Sequence, residues 1–157
     1  MNQTIAYKLG EVLAFARVGQ DSITKAKGAL SAALKDDEIE NINATLKDFE
    51  QQIEDTISTE DIADEVHDKA KEAEDKITKM RDTYLGGQWD DQSEALEWMG
   101  FFSGAALVHW YLLAGAAEKM DNAKLTSMTK EAIDFYAKFF TNDEQLLKKL
   151  GAQSVQE

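Results

Sequence analysis

The stretch WMGFFSGAALVHWYLLAGAA, residues 98–117, runs for 20 positions without an Asp, Glu, Lys or Arg. Nothing else in the chain constrains the fold as strongly. Wound at about 100° per residue, its large side chains reach every face. A helix that is apolar all round is either the buried centre of a bundle or a membrane span. Glu94 and Glu97 precede the stretch, and Glu118 and Lys119 follow it, so neither flank has the basic excess that orients a span. The apolar stripes elsewhere in the chain also need a surface to cover. The expectation is therefore an all-α, single-domain bundle of five to six helices around a central, almost fully apolar helix over about 93–119. The complete absence of proline fits long, unbroken helices.

Hydrophobic spacing places the neighbours. Ile5, Leu9, Val12, Leu13 and Ala16 share one face of a helix over about 3–18, with Gly19 as its C-terminal cap and a short helix carrying Ile23, Leu30, Ala33 and Leu34 beyond it. The alternative is a helix that runs through Gly19 unbroken, since an internal glycine costs only about 1 kcal/mol. Ile39, Ile42, Leu46, Phe49, Ile53 and Ile57 form a narrow stripe over 37–57, and Ile62, Val66, Ala70, Ala73, Ile77, Met80 and Tyr84 another over 60–84. These two predict an antiparallel helical hairpin or a pair within a bundle, with Ser58 and Thr59 between them, and Gly86-Gly87 marks the turn that follows. Leu125, Met128, Ala132, Tyr136 and Phe139 predict a helix over 121–140, and Thr141 or Asn142 then caps a short helix that stops at Gly151. The domain spans 1–152, with 153–157 as a frayed tail.

Within the apolar helix, Gly100, Gly104, Val108, Tyr111 and Gly115 fall on one side. Glycine weakens a helix, so three on one face point to close approach by another helix. Gly100, Gly104, Tyr111, Gly115 and the mid-helix His109 are accordingly read as core packing, with His109 neutral. The bulk of Trp98, Phe101, Phe102, Trp110 and Tyr111 exceeds what short neighbours cover, which predicts self-association as a homodimer.

Charge narrows the function classes. Of 30 acidic and 17 basic residues, 20 acidic and six basic ones lie within 36–94. That field repels phosphate, and only Arg17 and Arg81 are arginines, so nucleic-acid binding is disfavoured. A basic protein partner would be drawn to 36–94 instead. No cysteine is present, which removes disulfides and thiolate metal sites. The first residues lack the pattern of an export signal, and a cytoplasmic location is expected.

Catalytic signatures are sparse. Asp64-x-x-His67 is a single metal-ligand spacing with no second copy, and no phosphate loop or nucleophile elbow occurs. Glu94-x-x-Glu97 and Glu131-x-x-Asp134 each set two carboxylates on one helical face, a donor type that suits magnesium. These pairs resemble the Glu-x-x-Glu and Glu-x-x-Asp motifs of all-α nucleotide pyrophosphohydrolases. The resemblance covers eight positions and implies a magnesium-dependent enzyme as the alternative to a non-catalytic binding or assembly module that needs no cofactor. Convergence of Glu94, Glu97, Glu131 and Asp134 on one point distinguishes the two.

Overall fold

The computed structural model describes residue 1 and residues 3–155. Among them the backbone forms six helices and no strand: α1 (Gln3–Lys25), α2 (Lys27–Leu30), α3 (Asp36–Ile57), α4 (Ala63–Leu85), α5 (Gln92–Lys119) and α6 (Ala123–Ser154). The all-α bundle expected from the sequence is present, but its centre is elsewhere. α1 packs against α3, α4 and α5, whereas α5 lies mainly along α6.

Small residues put α1 in the middle. Ala6, Gly10, Ala14, Ala16 and Gly19 are all buried, on more than one side of the helix. A Cβ added at Gly10 would lie 2.7 Å from the Val66 carbonyl oxygen, so α4 approaches α1 almost backbone to backbone. At Gly19 the same atom would meet the Phe102 ring at 2.7 Å and Leu46 at 2.9 Å. Gly19 therefore does not cap a helix. It seats the tip of an α5 ring and a side chain of α3, and α1 continues through it to Lys25.

α3 and α4 form a pair within the bundle rather than a closely packed hairpin: both pack mainly on α1, and the His67–Glu54 contact at 2.9 Å joins them directly. Their chain ends are well specified. The Glu38 carboxylate accepts from the backbone N–H of Lys35 at 2.9 Å at the start of α3, and Gly86, at φ 55°, closes α4 in the left-handed conformation. The buried stripe of α4 runs Val66, Ala70, Ala73, Ile77, Arg81, Leu85, so Met80 and Tyr84 face outward. Arg81 is almost fully enclosed. Its guanidinium donates to Asp82 at 2.9 Å, to Asp21 of α1 at 2.6 Å and to Ser22 at 3.3 Å, and it lies 5.0 Å from the Trp89 ring. Burial alone would raise the Asp21 pKa; Lys25 and Arg81 outweigh it and hold that carboxyl below its usual range.

Asp91 and Asn122 cap the last two helices, each accepting from a backbone N–H three residues on at 3.0 Å. α6 runs unbroken where two helices are predicted. The Thr141 hydroxyl donates to the Ala137 carbonyl at 3.0 Å, which satisfies it inside the helix instead of at a cap, and Gly151 is helical too. Gln153 and Ser154 belong to α6 rather than to a frayed tail, and residues 156 and 157 lie outside the described part.

Candidate interaction face

α5 is half inside. Trp98, Phe102, Ala106, Trp110 and Leu113 face the core, with Phe102 5.6 Å from the Phe15 ring and Trp110 5.8 Å from Phe49. The opposite side faces solvent: Phe101 is 59% exposed, Val108 59%, Tyr111 58% and Leu112 52%. With Gly104, Ala105 and Gly115 these form an uncharged strip about 21 Å long from residue 101 to 115, at 1.5 Å per residue. By length and composition α5 is able to cross a membrane, and a third of its most apolar window (33%) is buried inside the bundle. The expectation of a fully enclosed apolar helix is thus overturned. α1 and α6, with smaller contributions from α2 and α4, cover one side. On the other, Tyr84 of α4 lies edge-on against Phe101 at 5.0 Å, and Val108, Tyr111 and Leu112 stay open to solvent.

The residues assigned to core packing divide accordingly. A Cβ on Gly100 would meet the Asp143 carboxylate at 2.8 Å, and one on Gly104 would meet the Phe140 ring at 3.8 Å, so these two glycines do admit α6. Gly115 has open space around it and Tyr111 projects outward, so neither belongs to the core. His109 is half-buried, not enclosed. Its Nδ1 lies 3.0 Å from Glu11 of α1, which also accepts from Lys8 at 2.7 Å, and its ring sits 5.1 Å from that of Phe15. Burial pushes the Glu11 pKa up, but Lys8 and His109 outweigh it and hold the carboxyl below its ordinary value. Beside this contact, Ile77 and Met80 of α4 and Phe101 and Ala105 of α5 border a cleft of about 270 Å³ that continues the exposed strip.

The four carboxylates do not meet. Gly100 faces Asp143 and Gly104 faces Phe140, a register that places Glu97 about 15 positions, roughly 22 Å, from the level of Glu131. Glu97 instead accepts from the Tyr84 hydroxyl at 2.5 Å and from Ser93 at 3.2 Å, which pushes the Tyr84 pKa up to about 12. Glu131 lies beside Asp55, Thr56 and Lys124 at the far end of α3. Among the described residues no group of three His, Asp or Glu side chains is arranged to hold a metal ion. His67 pairs with Glu54 of α3 at 2.9 Å instead of sharing a ligand with Asp64.

Arg17 is a feature missed in the sequence. It lies against three carboxylates at once, Glu50 at 2.9 Å and Glu54 at 2.8 Å on α3, and Glu74 at 2.9 Å on α4. Desolvation works to lower its pKa; the bonds to Glu74 and Glu50 outweigh that and raise it. Part of the acidity of 36–94 is therefore engaged in tying α3 and α4 to α1, which leaves less of it for a basic partner. Scanned against family models, curated proteins and solved structures, the chain finds no match, so the functional reading rests on its own geometry.

Proposed function

We propose that the protein is a non-catalytic assembly module that pairs with a second copy of itself through the exposed face of α5. One observation carries this reading: four large apolar side chains are more than half exposed on an uncharged strip of a chain with net charge −13. Two copies of so acidic a molecule repel over most of their surface and meet most favourably where charge is absent. Isologous pairing also explains the order of residues along the strip. With α5 antiparallel to its mate and the two-fold axis at Val108, Phe101 lies opposite Gly115, Ala105 opposite Tyr111 and Gly104 opposite Leu112. Large meets small at each level. At the ends, Glu97 faces Lys119, an attraction of opposite charges. This pairing gives the glycine of Gly115 a purpose that the monomer lacks.

Sedimentation velocity on the intact chain tests the proposal. The expected result is a species of twice the 17.5 kDa monomer mass at micromolar concentration, reduced to monomer by Val108→Glu with helical content unchanged. A wild-type chain that stays monomeric, or a Val108→Glu variant that still pairs, contradicts it.

A further inference from the structure

A second site lies on the other side of α5. α6 carries Asp143 on its buried stripe, seven residues beyond Tyr136, at a position where the spacing calls for an apolar side chain. The residue is 4% exposed, and its carboxylate fits against the bare face of Gly100. Among the described residues it has no hydrogen-bond donor and no basic partner. Such a group is costly in a folded chain, and a buried carboxyl without a partner in the protein calls for one from outside it, a water, an ion or a ligand. Here there is room for a ligand. Asp143 borders a groove of about 250 Å³ between α1, α2, α3, α5 and α6, with walls that include Ile23, Leu30, Ile42, Met99 and Phe139. At the roughly 30 Å³ that one liquid water occupies, the space equals about eight waters. Asn41, Thr45 and Asn142 add neutral polar groups at its edge. Apolar walls, a few polar groups and a single buried acid are the features of a small-molecule site selective for positive charge.

We propose that this groove binds a small organic cation, an aryl- or alkyl-ammonium, with the ammonium on Asp143 and the apolar body between Ile42, Met99 and Phe139. Burial pushes the Asp143 pKa up to about 7, so the groove exchanges a proton for the cation near neutral pH. The other ionisable side chains on the groove are Glu38 of α3 and Lys138 of α6; α1, α2 and α5 contribute none to its lining. Recognition is independent of pairing through α5, whose strip faces the opposite way.

The probe pair is 2-phenylethylamine and its neutral counterpart 2-phenylethanol, titrated into the intact chain and followed by amide NMR shifts. The amine is expected to saturate shifts at Met99, Phe139 and Asp143 and to bind at least about tenfold more tightly than the alcohol. Asp143→Asn, checked for unchanged helical content, should erase that preference while leaving weak binding of both. The preference should also grow between about pH 6 and pH 8 in the wild type and stay flat in Asp143→Asn, which retains Glu38 and Lys138. Equal affinities, no saturable shift up to about 10 mM, or a preference that survives Asp143→Asn would each overturn the proposal.

Discussion

α1 and α5 are the two most instructive helices to set side by side. α1 carries Lys8, Glu11, Arg17, Asp21 and Lys25, yet it is the helix the others surround. α5 has 20 consecutive residues without charge, yet leaves one side open to water. Charge count therefore does not decide which helix is central. Three neighbours can close on one helix only if its side chains are small where they arrive, and α1 meets that condition with alanine and glycine on several sides. Its charged residues lie at the seams, where Arg17 and Glu11 find partners on adjoining helices. α5 admits α6 at Gly100 and Gly104 and turns Trp98, Phe102 and Trp110 inward, so it fills one seam while Val108, Tyr111 and Leu112 on its far side stay exposed.

Substitutions sharpen this contrast. The largest effect is expected at Gly10→Val, where even the first added carbon is within 2.7 Å of α4 backbone. α1 and α4 must separate, and a loss of about 4 kcal/mol in urea unfolding is expected. A loss below about 1 kcal/mol would mean that α1 is not tightly enclosed.

Asp143→Asn comes next, at the seam between α5 and α6. The native carboxyl holds its proton to about pH 7, whereas an unfolded aspartate releases it near its ordinary value of 3.8. Between those values the native state binds more protons than the unfolded state, so stability falls as pH rises through the window and levels off above it. Asp143→Asn removes that slope. It should stabilise the protein by roughly 3–4 kcal/mol at about pH 8 and by under about 1 kcal/mol at about pH 4, as read from paired urea titrations. The same stabilisation at both pH values would show that the carboxyl is not strained by burial.

The smallest effect is expected at Gly115→Ala, in open space on α5. Placed in the monomeric Val108→Glu background, it should add about 0.8 kcal/mol through helix propensity alone. A destabilised variant would mean that this face is already packed within one chain.

Much of this fold was legible in the sequence. The stripes of α3 and α6, the Gly86-Gly87 turn and the helical state of 98–117 follow from spacing and turn chemistry. Three elements were not legible, each for a physical reason. Gly19 has the same letter as a cap, and only the approach of Phe102 and Leu46 shows why it is internal. Arg81 breaks the stripe of α4, because its aliphatic stem packs in the core while its charge is met by Asp21 and Asp82. Asp143 lies beyond an expected helix break that Thr141 and Asn142 do not make, so its place on the buried stripe was hidden. In the interaction face, Gly115 and Tyr111 were singled out as one side of a helix, but spacing alone does not say whether that side points inward.

The absence of cysteine makes the most direct measurement clean. Val108→Cys would place one thiol on the proposed two-fold axis, and Lys47→Cys, on the outer side of α3, would serve as the exposed control. Under mild oxidation at micromolar concentration, Val108→Cys is expected to form a disulfide-linked dimer at least about tenfold faster than the control, because each thiol already faces its mate. Equal rates for the two variants would contradict self-pairing through α5.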